Sequence, residues 1–264
     1  MTSVFRARGV SVSFGGVRAV AGVDLEIEAG ELVGLIGPNG AGKTTFIDAI
    51  TGFVRSEGTV DLGETTLNGL PPHVRAQRGL ARTWQTVELF DDLTVRENLT
   101  VAAKGGSSSP GGTTPRTPRG PARWKSQDIG QVNASVEDEL KMLDLVHAAE
   151  SMPWELTQAE RKRAGIGRAL VAKPRLLCLD EPAAGLDTRQ SKEFGALLPG
   201  IARTGTAVLL VDHDMGLVLS VCDRVVVLDS GAVIAQGTPA EIRGDERVIA
   251  AYLGHASAGT AGAA

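Results

Sequence analysis

Apolar and polar residues alternate over 10–14 and 23–27, the period of strands that bury one face. The run Leu32-Val33-Gly34-Leu35-Ile36 has no polar alternation, which predicts a strand buried on both faces, as in the middle of an α/β sheet. It leads into a glycine-rich turn over 37–42 and a helical pattern over 43–50. Strands are expected again at 176–179, 207–211 and 225–228, separated by helical stretches. Between these two groups of strands the pattern turns helical. Thr94 reads as an N-cap with Glu97 three residues on, and Val136, Leu140, Leu143 and Val146 recur at helical spacing within 132–149. The pattern predicts an α/β chain whose strands bracket a helical insert.

Two segments fit no packed element. Residues 104–123 hold Gly, Ser, Thr, Pro and Arg but no aliphatic side chain larger than Ala, which predicts a flexible insertion. The residues after Gly254, HASAGTAGAA, have too little apolar surface to pack and are expected to be disordered. With 264 residues and 42% apolar content the chain can bury a full core, so global disorder is excluded. A net charge of −4 gives no reason to expect nucleic acid as a partner. No apolar stretch approaches the ~20 residues that cross a bilayer. The N-terminus shows no signal-peptide core and only Cys178 and Cys222 occur, which predicts a reduced, cytosolic protein without its own membrane span. His73, His147 and His255 show no metal-ligand spacing.

Two motifs carry chemistry. Gly37-Pro38-Asn39-Gly40-Ala41-Gly42-Lys43-Thr44-Thr45 satisfies G-x-x-x-x-G-K-[ST] between a buried-type strand and a helix. Glycines let backbone N–H groups converge on phosphate oxygens, the lysine brings a point charge to the β and γ phosphates, and the Thr44 hydroxyl can ligate Mg²⁺. The second motif, Leu176-Leu177-Cys178-Leu179-Asp180-Glu181, is an apolar strand ending in two acids. An aspartate there can hold the metal's water, and the following glutamate can orient or deprotonate an attacking water.

In order and spacing, these elements resemble those of ATP-binding cassette (ABC) ATPases from Phe14 to Gly254. The resemblance implies a P-loop NTPase (RecA-like) α/β core with an N-terminal antiparallel β-subdomain, using ATP and Mg²⁺. It implies one domain over 1–254, with a catalytic core from 1–92 and 169–254 and a helical subdomain over 93–168. The flexible insertion then spans 104–125 and the tail 255–264. It also assigns roles. Phe14 would stack on adenine, Gln85 in ARTWQ would touch Mg²⁺ and the attacking water, and His213 in VDHD would contact the γ-phosphate. Asp187 in AAGLDT would cross a dimer interface.

One stretch departs from the family pattern. Where ABC ATPases carry LSGGQ, this chain has Leu156-Thr157-Gln158-Ala159-Glu160. Thr157 keeps a hydroxyl, but both glycines are gone, Gln158 adds a side chain, and Glu160 brings an anion toward the partner's phosphates. Losing one or two charge-assisted hydrogen bonds at ~1.5–3 kcal/mol each would slow the partner's site by about tenfold to several thousandfold. Against this, the Gln158 amide can itself donate, and Arg161, Lys162, Arg163 and Arg168 keep the region basic.

Within the family, GLARTWQTVELFDDLTVRENLTVA, EPAAGLDT and GTPAEIRGDERVIAAYLG resemble the larger ATPase of branched-chain amino acid importers, with Trp84 in place of the usual Phe. That branch implies a heterodimer with a second ABC ATPase on the cytoplasmic face, two membrane permeases and an extracytoplasmic binding protein. Urea and short-chain amide importers share much of this sequence. A regulatory nucleotide-binding module with impaired hydrolysis is the other reading, favoured by LTQAE.

Overall fold

The computed structural model describes residues 3–84, 89–106 and 126–258. It divides into two compact units, one of residues 1–86 with 175–264 and one of residues 87–174. The second is wider than the helical subdomain expected at 93–168. Its N-terminal lead is tied to the first helix by Asn98, and its C-terminal side includes the turn that follows Leu170.

The first unit begins with an antiparallel sheet of β1 (Ser3–Phe14), β2 (Val17–Glu28), β4 (Glu57–Leu62) and β5 (Thr65–Thr66). Their order in the sheet is β2-β1-β4-β5. The first two are far longer than the alternation predicted. Their register shifts between Ala7 and Val10, where Gly9 takes φ 60°, and again between Val10 and Val12, where Gly22 on β2 takes φ 66°, the left-handed values of bulges. A bulge shifts the inward-facing set by one residue, which hides a continuous strand from a period-two reading.

A second sheet has six strands, β3 (Leu32–Ile36), β6 (Leu80–Thr83), β7 (Leu176–Asp180), β8 (Ala207–Val211), β9 (Arg224–Asp229) and β10 (Ala232–Gly237). They lie in the order β10-β9-β3-β8-β7-β6. Only β10 runs antiparallel to its neighbour. Every residue of β3, β7 and β8 is buried, as parallel strands covered on both faces require. Helix α1 (Lys43–Thr51) puts Phe46, Ile47 and Ile50 into the core that both sheets share. It ends at Gly52, whose φ of 88° gives a left-handed C-cap. Around the sheet lie α2 (Pro72–Gln77), α6 (Thr188–Gly195), α7 (Leu198–Arg203), α8 (Met215–Val221), α9 (Pro239–Gly244) and α10 (Glu246–Ala258). Helix α10 runs four residues into the 255–264 tail expected to be disordered. Alanine is the best helix former, so a helix already started propagates through this segment.

The second unit packs α3 (Val95–Gly106), α4 (Ser126–Met142) and α5 (Gln158–Leu170). Thr94 caps α3 as expected: its amide donates to Glu97 Oε2 at 2.9 Å, and the Glu97 amide donates back to its hydroxyl at 3.2 Å. Helix α3 reaches Gly106, so the expected insertion over 104–125 begins inside it, and residues 107–125 lie outside the described residues.

Candidate nucleotide site at the strand ends

The register of the parallel sheet assembles the site. Leu35 of β3 and Asp180 of β7 both pair with Val211 of β8, so the three strands end together. Three segments therefore meet at one edge: the glycine loop after β3, Glu181 after β7, and Asp212 with His213 after β8. In open α/β sheets, ligands bind at this carboxyl edge.

The loop is built as a cradle. The Ala41 amide donates to the Pro38 carbonyl at 3.1 Å, folding the chain back on itself. Gly42 stands at the head of α1 with φ 98°, and a Cβ there would lie 2.4 Å from the Ala19 carbonyl oxygen. A Cβ on Gly37 would lie 2.1 Å from the Leu228 carbonyl oxygen. No side chain caps α1 and no acid occupies its first turn, so its positive end is left to an external anion. Asn39, Gly40 and Thr44 are exposed, Pro38 and Ala41 buried, and Thr45 half-buried. Lys43 is buried and its ammonium donates to the carbonyls of Gly37 at 2.7 Å and Pro38 at 3.0 Å. Burial lowers its pKa, opposed by the charges of Glu181, Asp180 and Asp212.

The acids differ in setting. Asp180 is buried, and Arg82 donates to its Oδ2 at 2.9 Å. Burial raises its pKa, and the Arg82 hydrogen bond and charge oppose the rise. Its other oxygen, Oδ1, is buried with no hydrogen-bond partner. A buried, unpartnered carboxylate oxygen beside a phosphate loop fits a hydrated divalent cation, with Thr44 as the hydroxyl donor on the facing helix. Glu181 has φ 46°, a left-handed conformation that a non-glycine residue holds only at some cost. Its amide donates to Val211 O at 2.7 Å, fixing the turn. His213 Nδ1 lies 3.6 Å from Glu181 Oε2 and 3.6 Å from Asp212 Oδ1.

Other predicted residues fall elsewhere. Phe14 is 53% exposed at the end of β1, so it is not a core aromatic. Asp187 caps α6, accepting from the Gln190 amide at 2.8 Å. Gln85 lies outside the described residues. Thr157 and Glu160 belong to the second unit and form a capping box at the head of α5. The Thr157 amide and hydroxyl donate to Glu160 Oε2 at 2.8 and 2.7 Å, and His147 Nε2 lies 2.8 Å from Oε1. The Thr157 hydroxyl bond and then the His147 contact hold the Glu160 carboxyl below its ordinary pKa, against burial. Gln158 is exposed and Ala159 buried.

Sequence reasoning missed Arg82, Asp48 and Asp212 because strand pairing and the packing of α1 on the sheet, not spacing along the chain, place them at the site. It also missed Tyr252 of α10, whose buried hydroxyl lies against the Gly37 backbone without a hydrogen bond of standard geometry. The A-Y-L-G stretch was the only signal for it.

A glycine cradle with a buried lysine and, one strand removed in the same parallel sheet, an acid pair at the strand end define a P-loop nucleoside triphosphatase. Within that class the chain belongs to the ABC transporter family and is an ABC-type ATPase. Residues 20–184 match the ABC transporter family profile, and residues 232–258 match that of the branched-chain amino acid ATP-binding cassette transporters. It is 40% identical over 250 residues to the high-affinity branched-chain amino acid transport ATP-binding protein LivG of Salmonella typhimurium, covering 94% of this chain and 96% of that one. It is 37% identical over 255 residues to BraF of Pseudomonas aeruginosa, a protein of the same description, covering 96% and 98%. The ADP conformation of MJ1267, an ATP-binding cassette of an ABC transporter, superposes with a TM-score of 0.79 at 27% identity, covering 96% of this chain and 100% of that one. Among the described residues, no helix is long and apolar enough to cross a membrane.

Proposed function

We propose that this ATPase powers an importer of branched-chain amino acids from the cytoplasmic face of the membrane. It would sit on two permease subunits, pair with a second ABC ATPase, and receive substrate through an extracytoplasmic binding protein. The observation that carries the substrate class is the match of residues 232–258 to the branched-chain amino acid transporter profile.

In this reading the Gly37–Thr45 loop and Lys43 grip the phosphates of ATP, and Phe14 supports the base. Thr44, Asp180 and Gln85 would hold Mg²⁺, which neutralises charge on the phosphate oxygens. Glu181 accepts a proton from the attacking water, in line with the leaving diphosphate, and His213 donates toward the γ-phosphate. The adjacency of Glu181 Oε2 and His213 Nδ1 at 3.6 Å supports this pairing of roles. Thr157, Gln158, Ala159 and Glu160 would face the nucleotide of the partner subunit across a closed dimer, with Asp187 at the same interface.

A second reading, a nucleotide-binding module that hydrolyses poorly, is favoured by the engagement of the Thr157 hydroxyl with Glu160. One experiment separates the readings. Proteoliposomes carrying the full transporter should take up leucine, isoleucine and valine in an ATP-dependent way that Glu181→Gln abolishes. Uptake of urea or short amides instead would overturn the substrate assignment. Undiminished uptake in Glu181→Gln would overturn the catalytic one.

A further inference from the structure

Arg82 occupies an unusual place beside the acid pair. It lies on β6 opposite Cys178 of β7, so its side chain reaches diagonally to Asp180, two residues on and on the same face. The side chain is only 5% exposed. One arm of its fork, Nη2, holds Asp180 Oδ2 at 2.9 Å. The other arm, Nη1, holds Asp48 Oδ1 on α1, with Thr51 Oγ1 at 3.4 Å. The guanidinium carbon Cζ lies 4.1 Å from the Trp84 ring centroid and 5.8 Å from that of Phe53, and these two rings meet edge to face at 4.9 Å. Trp84 and Phe53 are half exposed, and with Pro72, His73 and Ala76 they line a cavity of about 470 Å³ whose inner wall includes Arg82.

We propose that Arg82 is a positioning residue that fixes the Asp180 carboxylate for a divalent cation, braced by Asp48 on one side and Trp84 on the other. The fork takes only Oδ2, so it orients the carboxylate without covering the oxygen left buried and unpartnered, Oδ1. It also ties the strand that ends in Asp180 to the helix that begins at Lys43. The two halves of the site are thereby held in one geometry before any ligand arrives. A lysine can do only part of this, because its point charge on a flexible stem can reach one carboxylate but does not bridge two as a planar fork does, and it puts no guanidinium over the Trp84 ring. The inference rests on the reading of Asp180 as the metal-holding acid.

The test uses Mn²⁺ as a probe, read by electron paramagnetic resonance as the fraction bound to the ADP-loaded full chain, with thermal unfolding and metal-free ADP affinity measured beside it. Partners that orient a metal ligand typically contribute about tenfold to a hundredfold in affinity. Arg82→Met should therefore raise the Mn²⁺ dissociation constant about tenfold while metal-free ADP affinity stays within about twofold, and Arg82→Lys should recover part of the loss. Should Arg82→Met not fold, Trp84→Ala removes the brace from the surface and should weaken Mn²⁺ in the same direction by a smaller factor. Asp180→Asn is the reference. If it weakens Mn²⁺ and neither Arg82→Met nor Trp84→Ala does, the inference is wrong. If Asp180→Asn itself leaves Mn²⁺ unchanged, the reading of Asp180 falls first and takes the inference with it.

Discussion

Lys43 and Asp180 are opposite charges buried at one sheet edge, held by backbone carbonyls and a neighbouring arginine rather than by each other. Burial of this kind costs free energy, and a ligand that pairs with the ammonium recovers it. Lys43→Ala should weaken binding of a fluorescent ATP analogue by about tenfold to a hundredfold, the equivalent of one charge-assisted hydrogen bond. Unchanged affinity would remove the loop from the site. Thr157→Ala removes the hydroxyl half of the capping box, and loss of such a cap costs about 1 kcal/mol. Calorimetry should show the drop, and Thr157→Ser should not. Glu139 of α4 is pushed up to about 7 by burial and then by Asp138, against Lys173, and its Oε2 has no hydrogen-bond partner. Between its ordinary pKa of 4.5 and 7 the folded chain binds more protons at this residue than the unfolded chain does. This group's contribution to stability therefore falls as pH rises through that window. Glu139→Gln should match the parent in thermal midpoint near pH 4.5 and exceed it above pH 7; equal slopes of midpoint against pH would refute the assignment.

Gly34, at the centre of β3, shows how tightly the elements close. A Cβ there would lie 2.4 Å from Val218 Cγ1 and 3.0 Å from Cys222 Sγ, so α8 packs directly onto the strand backbone. Gly34→Ala should cost about 1–3 kcal/mol by overpacking, measured by denaturant unfolding, with no gain from the added methyl. The same packing decides which elements are legible in the sequence. The uniformly apolar β3 and β8, and the apolar run of β7 up to Asp180, stand out because burial on both faces leaves no room for polar residues. The motifs at their C-terminal ends are legible because phosphate chemistry demands glycine, lysine and acid at fixed spacings. β1 and β2 are half legible, since two successive irregularities, at Gly9 and at Gly22, break the alternation. Arg82 is illegible as a functional residue: its partners Asp48 and Asp180 lie 34 and 98 residues away, and it takes the β6–β7 pairing to bring Asp180 to it and the packing of α1 on β6 to bring Asp48. The capping role of Glu160 is readable from T-x-x-E, yet its charge alone suggests a clash with phosphate. The structure instead turns that carboxylate back onto Thr157 and His147.

At the scale of the molecule, one unit carries the phosphate loop and acid pair, and the other carries the altered signature at the head of α5. In an ABC dimer each signature serves the partner's nucleotide, so the substitutions in Thr157-Gln158-Ala159-Glu160 would burden the partner's site, not the one built around Lys43. On the proposed reading, a heterodimer with a glycine-bearing partner would keep one competent site, whereas a homodimer would have two damaged ones. The central claim is a catalytic subunit whose own site is intact and is completed by a second ATPase. Steady-state ATP hydrolysis by the purified chain, alone and mixed with a candidate partner ABC ATPase that carries the glycine-bearing signature, tests this most directly, with Glu181→Gln as the blank. The account predicts little turnover alone and robust turnover in the mixture, abolished by Glu181→Gln. Silence in the mixture with nucleotide binding intact, or mixture activity that survives Glu181→Gln, would contradict it.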